Sequence, residues 1–504
     1  MAGEDYNQDN RGYANSSFRD VERSGFVFDS DEILYTGLIK SKLYPKDVVL
    51  PRQLSCKAGI TKSQRRAVIV FAIGLAGAGL LAPVTLVMGG AVTLWTVFAS
   101  LILWRFALLV VGWRCVALER ARPRIIEDVA DLPVYSILVP VCDEAPVMRQ
   151  LARALGRIDW PADLLDIQIL LEADDLQTIS AAGLARFPAR TRFTIIPTGG
   201  PRTKPNALNY GLARARGDYV CIYDAEDRPA PSQLREAYAA FACGTARLAC
   251  VQAPLVASNM RAHWLSANWG LEYAVQFGFL LPALAGLKLP ILIGGTSNHF
   301  NISILRVSGG WDAWNVTEDA DLGMRFARFG YDVGVIKAGT LEDAPTAGRV
   351  WRAQRSRWIK GFIKTWAVLM RRPSRVLAEM GWRKFVAAQL TLGGAVLAPL
   401  LHLPFALLLI GAVLSPGFSI GAMGMALIVF GLLVGLIGDV MAVKKWSWMV
   451  LAAIVTRPLY WPLHSIAAYI ALWELAVRPY FWAKTPHCPT DTEEEDACST
   501  GLSV

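Results

Sequence analysis

Tyr219-Val220-Cys221-Ile222-Tyr223-Asp224-Ala225-Glu226-Asp227 is a short apolar run that stops in three acids. Such a run reads as a buried strand. A single strand ending in aspartate usually caps the next helix, but here the pattern repeats. Val134–Val141 runs into Cys142-Asp143-Glu144, and Ile167–Leu171 runs into Glu172-Ala173-Asp174-Asp175. Phe193–Ile196 and Leu248–Gln252 are further strand candidates, with helical patterns at Ala207–Arg214 and Ser232–Ala242 between them. The alternation predicts an α/β domain over 130–348 with a mostly parallel sheet and ligands at the carboxyl ends of its strands. Carboxylates this dense repel one another unless a cation holds them, which points to a metal–nucleotide site.

The segments that follow fit that site. Lys204-Pro205-Asn206-Ala207-Leu208-Asn209 opens a helix whose N-terminal amides and Lys204 suit a nucleotide. The chain has no Walker phosphate loop and no G-x-G-x-x-G, so an ATPase or a dinucleotide-dependent dehydrogenase gains no support. Thr317-Glu318-Asp319 is another acidic cluster, and Arg352-Ala353-Gln354-Arg355-Ser356-Arg357-Trp358 lies about thirty residues beyond it. Alone, this heptapeptide reads equally well as a solvated basic helix face. Placed after the acids, Arg357 gains a target in a charged leaving group and Trp358 one in a ring that stacks on it. Gly294-Gly295-Thr296-Ser297-Asn298-His299-Phe300 reads as a polar loop beside an acceptor, with Asn298 and His299 as its contacts.

The chain of 504 residues is 54% hydrophobic and only 18% charged. Soluble chains carry about 25% charge. Residues 67–104 hold no Asp, Glu, Lys or Arg, and a bilayer core takes roughly 20 apolar residues per helix. Two spans are expected in a 61–115 hairpin that turns at Met88-Gly89-Gly90. Two more are expected at 386–413 and 418–441, and 446–477 reads as two short tilted helices or a re-entrant pair. No apolar run precedes residue 67, which argues against a cleaved signal peptide. Lys62, Arg65 and Arg66 before the hairpin and Arg114, Arg120, Arg122 and Arg124 after it place both of its ends in the cytoplasm. The expected location is therefore the inner (plasma) membrane, multi-pass, with the catalytic domain cytoplasmic. Arg105, inside the second span, is expected to snorkel. Residues 349–384 are basic, with Glu379 the sole acid, and read as amphipathic interface helices on the cytoplasmic leaflet. Segments 1–60 and 478–504 read as a polar N-terminal region and a gating-like segment with an acidic tail; 385–477 is the C-terminal transmembrane region. The formal charge of +9 is read as topology and lipid contact, with no nucleic acid implied. The eight cysteines form no C-x-x-C, which argues against zinc.

Taken in order, these motifs resemble the family-two glycosyltransferases, specifically the membrane-embedded β-glycan synthases related to cellulose, curdlan and hyaluronan synthases. The resemblance covers roughly residues 60–490. It implies a nucleotide-sugar-binding (glycosyltransferase A-type) domain inserted between transmembrane helices. Glu144 and one of Asp174 or Asp175 would contact uracil and ribose, and Lys204 matches the lysine of a K-x-x-x-L-N segment. Asp224 and Glu226 occupy a D-x-D position for Mg²⁺ or Mn²⁺, with Asp227 an alternative second acid. Asp319 would be the catalytic base beside Glu318, while Gln354, Arg357 and Trp358 match Q-x-x-R-W. Phe481–His487 resembles a gating segment in divergent form, with Trp482, Lys484, Thr485 and His487 as its candidates. The implied partners are a UDP-sugar donor, a glycan or lipid acceptor, membrane lipids and an export partner in the cell envelope. A non-processive enzyme acting on a membrane lipid, and a transporter with a nucleotide-sensing domain, are the competing readings.

Overall fold

The computed structural model describes residues 50–121, 132–415 and 420–479. The gating candidates Trp482, Lys484, Thr485 and His487 and the acidic tail lie outside the described residues, as does most of the polar N-terminal region.

Strands β1 (Tyr135–Val141), β2 (Leu165–Glu172), β3 (Arg192–Ile196) and β4 (Tyr219–Ile222) pair in parallel in the order β3-β2-β1-β4. Their continuous apolar runs are what a sheet covered on both faces requires, and Tyr135, Ile137, Leu138, Val139 and Ile169 are fully buried. The sheet is mostly parallel, as expected, with one strand reversed. After β5 (Arg228–Pro229), β6 (Leu248–Gln252) and β7 (Leu255–Ala257), strand β8 (Asn298–Asn301) enters between β4 and β6 and runs antiparallel to both. Strand β9 (Asp332–Val335) completes the seven-stranded mixed sheet, and β10 (Thr340–Glu342) joins β5 and β7 in a three-stranded sheet. The insertion of β8 has a consequence for the site: it carries Gly294–Thr296 to the carboxyl end of β4, where the Ser297 amide donates to the Ile222 carbonyl at 2.8 Å.

Among the described residues, four helical stretches are long and apolar enough to cross a membrane: Lys62–Leu81, Pro83–Leu118, Pro373–Leu414 and Gly421–Ala442. Exposed Leu80, Leu81, Val413 and Leu414 leave outward faces that a bilayer would cover. The first two helices part at Ala82 rather than at Met88–Gly90, through which the second helix continues to Ala121. Pro83 has no amide hydrogen to continue the first helix, whereas a glycine inside a helix costs only about 1 kcal/mol. Beyond Gly421–Ala442 the chain forms two helices, Trp448–Val455 and Arg457–Val477, joined at Thr456.

The apolar helices pack closely on the rest of the chain. A Cβ at Gly112 would collide with the backbone of Phe279, so that helix reaches contact distance only because residue 112 is glycine. Arg457 donates to Asp439 at 2.7 and 2.9 Å, with both side chains almost fully buried.

The first part of the basic segment, up to Leu369, is largely buried rather than laid on a surface, while much of the part from Pro373 to Arg383 is exposed. Gly348–Leu369 is one helix, held between the catalytic domain and Arg457–Val477. Trp351 donates to Tyr460 at 2.9 Å, Lys360 pairs with Glu474 at 2.7 Å, and Lys364 donates to the Trp314 carbonyl at 2.7 Å. Lys360 and Lys364 thus find an acid and a carbonyl on the inward face, which is what lets these cations be buried.

Candidate active site

The carboxyl ends of β1, β2 and β4, the Gly294–Thr296 loop, and the Glu318–Arg328 and Gly348–Leu369 helices converge on one cavity of about 730 Å³. Lys204 stands at its centre. Its ammonium contacts the Asp224 carboxylate and donates to the Gly295 carbonyl at 2.8 Å. Burial alone would lower the Lys204 ammonium, but Asp224 and then Glu318 outweigh it and push it up to about 12. It therefore stays charged at neutral pH.

Asp224, Glu226 and Asp227 separate by direction. Asp224 and Glu226 line the cavity. Asp227 turns inward, where it is 1% exposed, accepts the Asp224 amide at 2.7 Å and meets the Thr296 hydroxyl. The third acid thus braces the turn, and its assignment as a metal ligand is corrected. Burial first, then Asp224 and Glu226, pushes its carboxyl well above the usual range.

At the other wall, Glu318 and Asp319 open their helix with both residues facing the cavity. Burial raises both carboxyls above the ordinary range, and for Glu318 the neighbouring Asp319 adds to the effect. Lys204 and Arg357 oppose that rise. The Asp319 carboxylate accepts the Ala320 amide at 2.8 Å, which leaves its second oxygen beside Gly295. Gln354, Arg357 and Trp358 reach the same cavity from the Gly348–Leu369 helix. Gln354 accepts from the Trp269 indole at 3.1 Å, and the Trp358 ring lies 6.2 Å from Tyr273, which stacks on Trp269 at 3.7 Å. The Arg355 guanidinium sits over Trp358 at 4.7 Å and pairs with Glu272.

The nucleotide end differs from expectation in one acid. Glu144 lines the cavity and is buried. Asp175 is the N-cap of the Leu176–Leu184 helix, accepting the Thr178 amide at 3.1 Å, and Asp174 stands half-exposed 3.3 Å from Arg202. Neither lines the cavity; Glu172, two residues earlier and at the last position of β2, does. Burial, with Asp174 and Asp175 adding to it against Arg202, pushes the Glu172 carboxyl up to about 7. Cys142, Asp143 and Asp175 bring ligand atoms within 4.8 Å of one another, but Asp175 is already spent on its cap and on the Asp143 amide.

Asn298 and His299, expected as acceptor contacts, do not line the cavity. Both are buried in β8, where His299 contacts the Tyr135 hydroxyl at 2.8 Å and Gln233 at 3.2 Å, and Asn298 donates back to Gly294 at 2.6 Å. Burial lowers His299 to about 3, so it stays neutral in the sheet. The expected loop is a strand from Asn298 onward, and only its Gly294–Thr296 portion meets the cavity. Sequence reading also missed Tyr273 and Arg202. The signal for Tyr273 was present in Trp269, Tyr273 and Phe277, aromatic residues spaced four apart on one helix face.

Fold and site together define a glycosyltransferase: an α/β nucleotide-sugar-binding domain with charged groups gathered at the strand ends, flanked by apolar helices. The chain belongs to glycosyl transferase family group 2, whose profile matches residues 219–477, just over half of its length. The profile of glycosyl transferase family 2 matches residues 136–297. A probable glycosyltransferase, YdaM, of Bacillus subtilis is 26% identical over 52% of this chain and 63% of its own length. A β-monoglucosyldiacylglycerol synthase of Synechocystis is 24% identical (53% of this chain, 55% of the relative). A probable glucomannan 4-β-mannosyltransferase 6 of rice is 25% identical (55% and 49%). This chain thus spans from about half to just under two thirds of the length of these relatives. Among solved structures, a mannosyltransferase from Pyrobaculum calidifontis in complex with GDP-Man and Mn²⁺ aligns over 76% of this chain and 98% of its own, at 20% identity and a TM-score of 0.47.

Proposed function

We propose that this chain catalyses the inverting, metal-dependent transfer of a sugar from a UDP-sugar, with UDP-glucose the expected donor, to a growing β-glycan that leaves between its membrane helices. The observation that carries this reading is the continuity of the cavity. One space joins Asp319 and Arg357, past Trp358, to Phe405, Ile428 and Asp439 on the apolar helices.

In this mechanism Asp319 takes the proton of the acceptor hydroxyl as that oxygen attacks the anomeric carbon, and the bond to the diphosphate breaks on the opposite face. A dry setting raises Asp319 from a poor base toward one matched to neutral pH. Arg357, whose charge is directed toward Glu318, Asp319 and Asp224, holds the leaving diphosphate, and Lys204 adds a second fixed cation. Such contacts each contribute about 10²–10³ in rate. Trp358, held between Tyr273 and Arg355, offers its face to the sugar at the end of the acceptor.

The residues fit a hard divalent cation. At the catalytic end of the cavity carboxylates outnumber basic groups, and the oxygens of Asp224 and Glu226 suit Mg²⁺ or Mn²⁺. When bound there, the ion would supply charge neutralisation for the diphosphate.

A single transfer to a membrane lipid is the second reading. The apolar wall formed by Leu101, Phe405, Leu409 and Leu432 favours it, and β-monoglucosyldiacylglycerol synthases stand among the relatives. Under either reading the catalytic domain faces the cytoplasm, where the donor is made. Incubation of the reconstituted full chain with radiolabelled UDP-glucose tests the proposal. Labelled polymer that a β-glucanase digests is expected; label confined to organic-extractable glycolipid would replace the first reading with the second, and no label in either fraction would overturn both.

A further inference from the structure

The cavity carries opposite charge at its two ends. Acids dominate beside Asp319, but at the membrane-side end three guanidiniums, Arg105, Arg355 and Arg457, stand against two carboxylates, Glu272 and Asp439. Both carboxylates are taken. Asp439 accepts two hydrogen bonds from Arg457, at 2.7 and 2.9 Å, and Glu272 pairs with Arg355 and lies 3.0 Å from His464. Arg105 is the cation left over. It feels Asp439 and Glu272 at a distance, and Arg457 of its own sign, but makes no hydrogen bond or close ion pair among the described residues.

Its position excludes the bland account. Arg105 lies inside the Pro83–Leu118 stretch, one turn from Ile102 and one from Leu109, which pack against Gly431 and Gly438 of the neighbouring membrane helix. The guanidinium therefore faces the interior of the bundle, where the expected snorkelling toward the bilayer surface is unavailable to it. An ionised side chain inside a membrane bundle is costly to keep and marks function by default. His402 lines the same end, interacts electrostatically with Arg105, and has a buried Nδ1 with no hydrogen-bond partner. Its ring stacks on Trp461 at 5.9 Å, which fixes the orientation of that nitrogen. The planar guanidinium fork matches a tetrahedral or planar oxyanion, and the His402 imidazole, whose other nitrogen bonds the Trp461 backbone, offers its Nδ1 as an acceptor to a hydroxyl.

We propose that Arg105 forms an oxyanion subsite at the membrane-side end of the cavity, that it seats the phosphate of an acidic lipid, and that His402 Nδ1 accepts from a hydroxyl of the same headgroup. The lipid chains follow the apolar wall at Leu101, Phe405 and Leu409. The subsite rests on the acceptor path proposed above, since it would anchor either a lipid acceptor or a lipid lying beside the growing glycan. A free phosphate-type anion shares the same chemistry, and the experiment separates the two.

The full chain is reconstituted in nanodiscs of phosphatidylcholine, with or without phosphatidylglycerol, and the lipids retained after detergent release are counted by native mass spectrometry. The wild type is expected to keep one phosphatidylglycerol that Arg105→Gln loses by about tenfold or more, as for a hydrogen bond to a charged group. Arg105→Lys should keep most of it, and His402→Phe should hold it less tightly than the wild type. Equal retention of phosphatidylglycerol by wild type and Arg105→Gln, or equal retention of phosphatidylcholine by the wild type, overturns the subsite. Thermal stabilisation by inorganic phosphate in phosphatidylcholine nanodiscs, lost in Arg105→Gln and unaccompanied by lipid retention, overturns the lipid assignment in favour of a free oxyanion. UDP binding is measured on every variant. Intact UDP binding shows that the fold survives, and failure of the wild type to bind UDP would sink the donor reading without touching lipid retention.

Discussion

Gly361 lies so close to Thr317 that a methyl group at position 361 would collide with the threonine side chain. The two residues stand one helical turn from Trp358 and one residue from Glu318. This contact, together with the Asn315–Thr365 hydrogen bond at 2.8 Å, clamps the Arg357-bearing helix onto the acids. Gly361→Ala must move one element against the other. The expected result is about 1–3 kcal/mol of destabilisation from overpacking and a larger loss in kcat than in donor affinity. Thermal denaturation and steady-state kinetics on the same preparation check it; unchanged kcat would show that the helix tolerates a shift.

Asp319→Asn removes the proposed base while keeping the shape of the side chain. A general base contributes about 10²–10⁴ in rate, so kcat should fall by that order while UDP still binds. The pH profile supplies the second check. Burial raises Asp319 and Glu318 above the ordinary carboxylate range, and the base works only when ionised. The acid limb of kcat/KM should therefore lie above that range, with activity lost as pH falls through the raised value. A limb at the position of a free aspartate would refute the assignment.

The strand-end acids made the α/β domain legible because a parallel sheet forces long apolar runs to stop together at one edge. Asp224 and Asp319 were readable for the same reason: each sits where an element begins or ends, whereas Arg357, in the middle of the Gly348–Leu369 helix, was readable only from its place in the Gln354–Trp358 motif. Side-chain direction was not readable. Asp227 follows Glu226 in sequence, yet the turn sends one inward and the other to the cavity. Asp174 and Asp175 outnumber Glu172 in their cluster, but a helix start consumes Asp175 and leaves the strand's last residue at the site. His299 looked like loop chemistry because a four-residue antiparallel strand has too few positions to show its period. The basic 349–384 segment misled for another reason. Its inward-facing cations are neutralised by residues such as Glu474, more than a hundred positions away.

Glu172 should govern the donor, and its protonation should be visible. Its carboxyl is pushed up to about 7, so it is largely neutral below that pH and ionised above it. A uracil N3–H donates a hydrogen bond and prefers the ionised form. Donor KM should fall as pH rises through about 7, and Glu172→Gln should raise KM by about tenfold at high pH, the scale of one hydrogen bond to a charged group, and abolish the pH dependence. The check is donor KM across that interval at saturating acceptor. A mutant that keeps the wild-type pH dependence would assign it elsewhere.

Trp358 is linked through Arg355 to a carboxylate on another helix. Arg355 lies over its ring at 4.7 Å and is itself held by Glu272, which also receives the Tyr460 hydroxyl at 3.1 Å. Burial alone would raise Glu272, but Arg355 and His464 outweigh it and hold the carboxyl below the usual range, so the pair stays ionised. Glu272→Gln leaves the volume but removes the counter-charge, and one partner of a buried pair is then unpaired, at about 3–5 kcal/mol. If Arg355 serves only packing, Glu272→Gln lowers stability and leaves the product distribution alone. If it orients Trp358, the same change shortens the product, as Trp358→Ala should, while Trp358→Phe keeps a stacking face and most of the length. Product-length analysis of the three variants at equal turnover decides between these outcomes. Identical length in wild type and Trp358→Ala would remove the ring from acceptor binding altogether.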